Sequence, residues 1–399
     1  MKKIVSLLLG FGLLAGAFSE SAQAATFKDV PAGHTFHKEI EYLSGKNIIT
    51  GFKDGTFKPD QKVTRGGAAM LIGKMLKLDG TQRKTNFSDV PASSAASGYI
   101  QAAVDKGIIQ GYSNGTFKPN EYVTRGQVAI LLSRALGLSE RATIGYKDVG
   151  ASSSAYAAIG KVVAAKITSG YTDNTYRPNV VVTRGQLSAF MARALEPSFS
   201  KNIADSLKTV DGNKQLILVT ANGYGTSKAT IRTFEKNAKG GWYQVLSTSG
   251  YIGKNGFATT KKEGDGKTPR GKYTIGTAFG TKGNPGTKLP FRGITSDDVW
   301  VDDPKSSLYN TWQSKKATSG KWSSAENMNI PAYKYGFVIN YNTDRVPGAG
   351  SAIFFHIANN ATLGCTATSE SNVVSILRWL DPAKKPVIIQ APAGEIGNY

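Results

Sequence analysis

One pattern occurs three times in this chain. Phe27-Lys28-Asp29-Val30, Phe87-Ser88-Asp89-Val90 and Tyr146-Lys147-Asp148-Val149 open units spaced 60 and 59 residues apart. Val-Thr-Arg-Gly recurs in the same register at Val63, Val123 and Val182. Between the two blocks lie GFKDGTFKP, GYSNGTFKP and GYTDNTYRP, which begin at Gly51, Gly111 and Gly170. Three blocks in one register make the repeat the unit of the fold.

Each unit reads as helix, loop, helix. HKEIEYLSGKNII carries apolar residues at helical spacing and stops at Gly51. The loops hold Gly55, Gly115 and Asn174 where a turn needs positive φ, and Asn is the usual stand-in for Gly there. Pro59, Pro119 and Pro178 end the loops, and Thr64, Thr124 and Thr183 are placed to cap the helices that follow. Arg65, Arg125 and Arg184 fall in the first turn of those helices, where the macrodipole favours acids. An arginine repeated against that preference points to a partner, either an internal carboxylate or an anionic ligand.

The three units resemble S-layer homology repeats, over residues 25–80, 81–139 and 140–198. The resemblance rests on the aromatic-x-Asp start, the Gly-aromatic loop and the Thr-Arg-Gly block. It implies a mostly α-helical, pseudo-threefold module that binds anionic secondary cell-wall polysaccharide, often pyruvylated, in grooves between units. On that resemblance Arg65, Arg125 and Arg184 are glycan-contact candidates, with Asp29, Asp89 and Asp148 nearby. The aspartates have an alternative role as helix caps or arginine partners within the fold. The family often has Ala-Glu where this chain has Gly66-Gly67, Gly126-Gln127 and Gly185-Gln186.

Residues 1–24 read as a secretory signal peptide. Lys2 and Lys3 precede an apolar run from Ile4 to Phe18, and Ala22-Gln23-Ala24 is a small-residue cleavage signature. No later segment reaches the ~20 apolar residues that span a bilayer, so the expectation is a secreted, wall-associated bacterial protein with no transmembrane segment. The formal charge is +21, of which residues 1–24 carry +1, residues 25–198 carry +9 and residues 199–399 carry +11. With no compact Lys/Arg block, a nucleic-acid partner is not expected, and an anionic wall polymer is the simpler one. No His/Cys/Asp cluster has metal-ligand spacing, and GDGKTPRGKY lacks the phosphate-loop spacing, so no metal, nucleotide or other cofactor is expected.

Residues 199–209 read as a polar linker. Beyond it KQLILVTAN, KATIRTFEK, WYQVLSTSGYIG and GKYTIGTAF are short segments rich in β-formers, and NAKGG marks a hairpin. The expectation is a β-rich domain over 210–393, with GTKGNPGTKLP and KWSSAENMN as long surface loops. SAIFFHIA reads as a buried strand carrying His356, and SESNVVSILRWLD as a helix.

Cys365 is the only cysteine. In an exported chain it is free or links two chains. It lies just ahead of the helix start, where partial positive charge favours thiolate, and His356 on the strand is a base for it. Backbone N–H groups around Gly364-Cys365 are candidates for an oxyanion site.

KKEGDGKTPRGKYTIGTAFG, VWVDDPKSSLYNTW and AIFFHIANNATLGCTATSESNVVSILRWLDPAKKPVII together resemble the L,D-transpeptidase catalytic domain. That resemblance implies a β-sandwich-like fold and a cysteine nucleophile acting on peptidoglycan stem peptides. Cys365 would attack the carbonyl of the residue before a terminal D-amino acid, leave a thioester, and pass the acyl group to an amine of a second stem. His356 matches the family base and Gly364 the glycine before the nucleophile. Leu363 and Ala367 stand where the commoner motif has His and Arg, and the interval from His356 to Cys365 is shorter than usual. A thiol carboxypeptidase on the same scaffold and a non-catalytic wall-binding protein are the alternative readings.

Overall fold

The computed structural model describes residues 27–399 with the exception of Thr172, so the expected signal peptide lies outside the described residues. No described helix is long and apolar enough to cross a membrane. The repeats supply helix pairs: His37–Gly45 (α1) with Arg65–Met75 (α2), Ser97–Asp105 (α3) with Arg125–Ala135 (α4), and Tyr156–Ala164 (α5) with Arg184–Leu195 (α6). Thr64, Thr124 and Thr183 cap the second helix of each pair, their side chains accepting from the N–H of Gly67, Gln127 and Gln186. Gln127 and Gln186 return the bond to the cap backbone and complete capping boxes.

A cyclic backbone contact joins the three units. Val63 N–H donates to Val182 O at 3.0 Å, Val182 N–H to Val123 O at 3.0 Å, and Val123 N–H to Val63 O at 2.9 Å. The next glycines repeat the connection, with Gly66, Gly126 and Gly185 N–H donating to the carbonyls of Pro119, Pro178 and Pro59. Each unit therefore bonds to both others, and the module closes as a ring.

The loop motifs follow from packing around that ring. A Cβ on Gly51, Gly111 or Gly170 would come within 2.4, 2.1 or 2.1 Å of the Phe27, Phe87 or Tyr146 ring, so the opening aromatic of each unit requires the loop glycine. Asn174 holds φ +62°, beside +79° at Gly55 and +76° at Gly115, which bears out its reading as a glycine substitute. The carboxylates of Asp29, Asp89 and Asp148 each accept two backbone N–H groups: from Phe57 and Lys58, from Phe117 and Lys118, and from Tyr176 and Arg177, at 2.7 to 2.8 Å. They brace the loops, and cap no helix.

The second half contains strands Gln215–Ala221 (β1), Lys228–Lys236 (β2), Trp242–Tyr251 (β3), Phe257–Ala258 (β4), Thr268–Pro269 (β5), Gly271–Gly280 (β6) and Phe291–Gly293 (β7). Asp298–Val301 (β8), Thr311–Ser314 (β9), Ala325–Asn327 (β10), Gly336–Ile339 (β11), Phe354–Ile357 (β12), Thr366–Thr368 (β13) and Val387–Pro392 (β14) follow, with helix Glu370–Trp379 (α7) between β13 and β14. The main sheet runs β11-β12-β13-β3-β2-β1-β14-β6-β7, and β6 also pairs with β11. That extra pairing corrects the β-sandwich-like expectation. The ten-residue β6 reaches β14 through residues 271–274 and β11 through 275–279, where a register shift between Phe337 and Ile339 bends the ladder, so the sheet closes as a barrel.

A second correction concerns the middle of this half. KWSSAENMN is not all loop: β10 pairs with β8, and β8 with β9, in a separate three-stranded sheet. The segment read as a linker contains 3-10 turns at Pro197–Ser200 and Ile203–Ser206, and Ala204, Leu207 and Val210 are buried against the barrel. The repeats dock directly on the β2–β3 hairpin. Glu140 accepts from Ala238 N–H at 2.9 Å, Asn237 Nδ2 donates to Ala164 O at 3.0 Å, and Lys166 pairs with Asp205 at 2.6 Å.

Replacing Asp89 by Ala leaves the N–H groups of Phe117 and Lys118 without their acceptor. We expect a loss of about 1–2 kcal/mol of stability, read as a lower urea midpoint for the full chain, with Asp89→Asn costing less.

Candidate active site

The nucleophile candidate sits on a loop held from two sides. Thr362 Oγ1 donates to Cys365 O at 2.6 Å and accepts from Gly364 N–H at 3.2 Å. Thr268, in β5, donates its hydroxyl to Gly364 O at 2.8 Å. Gly364 has φ +152°, and a Cβ there would lie 3.1 Å from Lys267 O, so glycine fits this position for both reasons. The Cys365 thiol is buried: Sγ accepts from Phe354 N–H and its proton points to Ala352 O, each at 3.3 Å. Ala352 itself is held at φ +52°, an unusual backbone for a residue with a side chain, and donates its N–H to Asn310 Oδ1.

His356 is carried by β12, paired across the ladder with Gly336 on one side and Ala367 on the other. Its Nδ1 lies 3.0 Å from Ile357 O, and because a carbonyl only accepts, Nδ1 carries the proton and Nε2 is left as the basic nitrogen. The ring meets Tyr333 edge-on at 5.1 Å. His356 and Cys365 line one cavity of about 500 Å³ and are not hydrogen-bonded to each other.

The electrostatics correct the thiolate expectation. The three residues of β13 and the N-cap Ser369 separate Cys365 from α7, so the helix N-terminus does not abut the sulfur. Burial pushes the Cys365 thiol well up, the charge of Glu326 adds to this, and the Phe354 N–H and Lys261 oppose it. Burial likewise holds His356 down at about 4. The resting pair is therefore a neutral thiol beside a neutral imidazole. The expected oxyanion donors also divide: Gly364 N–H is spent on Thr362, whereas Cys365 N–H has no acceptor among the described residues.

Sequence reasoning missed the acidic wall of this cavity. Asp302 and Glu326 come from the three-stranded insertion and Glu263 from the loop after β4. The Tyr333 hydroxyl donates to Glu326, and Ser351 donates to Glu263 at 2.9 Å. Burial raises Glu326 to about 7, helped by the charges of Asp302 and Glu263 and opposed by the Tyr333 hydroxyl. The departures from the commoner motif also have a place in the fold. Leu363 stands 75 % exposed at the cavity mouth, and Ala367 is fully buried opposite His356.

The repeat arginines lie far along the chain from this cavity, on the ring. Arg65 stacks over Tyr112 and Phe117, Arg125 over Tyr171 and Tyr176, and Arg184 over Phe52 and Phe57, so each reaches the loop of the next unit. Their Nε groups donate to the carbonyls of Phe117, Tyr176 and Phe57, each at 2.9 Å. The internal partner is thus an aromatic face and a carbonyl rather than a carboxylate.

Residues 26–69, 86–129 and 145–188 match the S-layer homology domain, and residues 215–389 match the L,D-transpeptidase catalytic domain. The chain carries three S-layer homology domains followed by an L,D-transpeptidase catalytic domain. The repeats make it a cell-surface protein anchored to the cell wall. A cellulosome-anchoring protein of Acetivibrio thermocellus is 34% identical over 35% of this chain and 33% of its own length. An uncharacterized cell wall amidase of Bacillus anthracis is 30% identical over 57% of this chain and 43% of its own. An S-layer protein of Bacillus licheniformis is 28% identical over 66% and 32%. The chain spans less than half the length of each of these relatives. Among solved structures, the helical cell shape determining protein Pgp2 of Campylobacter jejuni is similar at a TM-score of 0.26 and 16% identity, over 48% of this chain and 54% of that one, too remote to carry an argument.

The fold favours the protonated form of Glu326, whose carboxyl rises from 4.5 to about 7. Its contribution to stability is complete below the unfolded value and is lost as pH climbs through about 7. We expect the melting temperature to fall more between about pH 5 and pH 8 in the wild type than in Glu326→Gln.

Proposed function

We propose that this protein is a wall-anchored peptidoglycan L,D-transpeptidase that works through a Cys365 thioester. The single observation that carries the reading is the one cavity lined by both a buried thiol and a neutral imidazole whose Nε2 is unbonded among the described residues. In this scheme His356 Nε2 takes the thiol proton as Sγ bonds to the carbonyl carbon of the residue before the terminal D-amino acid. Cys365 N–H faces the oxyanion that forms, and Phe354 N–H stabilises charge on sulfur. The C–N bond then breaks, and the leaving amine takes the proton from His356. An amine of a second stem next attacks the thioester and gives its proton to His356. The C–S bond breaks, the new amide cross-link departs, and the proton returns to sulfur. A buried neutral pair suits this sequence, because the proton moves only as the carbonyl is attacked.

The repeats hold the enzyme on an anionic secondary cell-wall polysaccharide, with pyruvylated sugars as the ligand class. The partly exposed arginines, Arg65 and Arg184, are the contact candidates, and Arg125 is buried among its own partners. Asp29, Asp89 and Asp148 act through loop geometry, because both oxygens of each are engaged by backbone. Tethering raises the local concentration of stem peptide without any new contact at the cavity.

The test is incubation of residues 25–399 with tetrapeptide-bearing muropeptides followed by mass spectrometry. Loss of the terminal D-residue together with a cross-linked dimer is expected, with both products down at least ~10³-fold in Cys365→Ala. Loss of the D-residue without dimer makes the protein a carboxypeptidase. The absence of both products across several stem chemistries leaves a wall-binding protein.

A further inference from the structure

The internal repeat gives three copies of one groove, and they differ. Each is walled by the first-turn arginine of one unit and by the loop and second helix of the next. At the Arg125 groove, Phe190 of α6 lies over the guanidinium at 5.1 Å and is itself buried. Arg125 Nη2 donates to Thr168 Oγ1 and to Ser169 O, both at 3.1 Å, and the side chain is 4% exposed. Arg193, the basic residue nine positions after Arg184, is turned to Glu39 at 3.5 Å.

At the Arg65 groove every one of these closures is missing. Leu131 stands where the third unit has Phe190, and Ile109 where it has the Thr168 hydroxyl. Arg65 bonds only through Nε, so both terminal nitrogens lack a partner among the described residues. Arg134, which corresponds to Arg193, faces the same space and is bonded only to Gln110 Oε1, at 3.4 Å. A cavity of about 230 Å³ results, with the two guanidinium groups above an apolar floor. The Asp89 carboxylate, which feels the Arg65 charge, is occupied by the N–H groups of Phe117 and Lys118. At the third groove Arg184 keeps one extra bond, from Nη2 to Thr50 O, and Lys74 replaces the second arginine. Lysine presents a point charge, and cannot clamp a planar anion as a guanidinium does.

We propose that the Arg65–Arg134 groove is the principal glycan site of the module, taking one anionic sugar unit whose charged group lies between the two guanidiniums and whose apolar face lies on Leu131. The Arg125 groove is a structural copy sealed by its own side chains. This inference rests on the reading that the repeats bind anionic wall glycan.

Leu131→Phe provides the test, because it installs in one groove the side chain that already closes another and removes no charge. Full-length protein lacking residues 1–24 is titrated calorimetrically with anionic glycan released from purified walls, and with a neutral glycan of equal length. The expected result is one site per chain for the anionic glycan, none for the neutral one, and at least ~10-fold weaker binding in Leu131→Phe and Arg134→Ala at unchanged melting temperature. Arg65→Ala is expected to bind at least ~10-fold more weakly below its transition and to melt lower, because its bond to Phe117 O is lost with the charge. Arg125→Lys is expected to melt lower and to bind as the wild type does below its transition. Wild-type affinity in Leu131→Phe, or loss of binding only in Arg184→Ala, overturns the groove assignment while leaving the glycan reading intact. No binding by the wild type, with full retention on glycan-stripped peptidoglycan, overturns both.

Discussion

Three backbone hydrogen bonds among Val63, Val123 and Val182 fix the rest of the anchor. Each valine both donates and accepts, so no unit satisfies its own polar groups without the other two. Once the ring closes, the arginine that follows each valine is carried onto the loop of the next unit, and stacking with an aromatic pair offsets its poor position on the helix dipole. The ring also sets the third unit against the barrel, where Glu140, Ala164 and Lys166 meet the β2–β3 hairpin and the turn before β1. The anchor and the catalytic domain thus meet through direct bonds between folded surfaces.

The same economy of backbone contacts governs the loop that holds Cys365. Thr362 and Thr268 take up the carbonyls of Gly364 and Cys365, and this orientation leaves the Cys365 N–H as the available donor. A solvent-exposed cysteine at a helix start would be held as thiolate. This one is buried, with carboxylates across the cavity, and both effects favour the thiol. Burial also keeps His356 neutral, so a base is present well below neutrality. Asp302 and Glu326 of the acidic wall come from the insertion that carries β8 and β10, so that insertion shapes the cavity chemistry.

Much of this was legible in the sequence because repetition and alternation are strong signals. The helix pairs, the threonine caps, the positive-φ role of Asn174 and the strand holding His356 all follow from periodicity and turn chemistry. What spacing shows is that a residue recurs, not which atoms it meets. Asp29 and its copies recur because two loop N–H groups need acceptors, a contact about 28 residues away along the chain. The helix-dipole argument for Cys365 failed because β13 and Ser369 separate it from α7, and a strand of three residues is below what alternation detects. Strands β8 to β10 are three or four residues long and escaped for the same reason. Thr268 sits in GDGKTPRGKY, a stretch dismissed as a nucleotide loop, and its place beneath Cys365 appears only when β5 is folded against Gly364.

The central claim is that Cys365 carries the acyl group between two stem peptides. It is tested most directly by intact-protein mass spectrometry, with peptide mapping, after rapid mixing of the enzyme with a tetrapeptide stem that lacks an acceptor amine. The account predicts one adduct per chain, on Cys365, with the mass of the stem minus its terminal residue, forming about 10²–10⁴-fold more slowly in His356→Ala. Cross-linking that proceeds with no adduct on Cys365, or an adduct that maps to another residue, would contradict it.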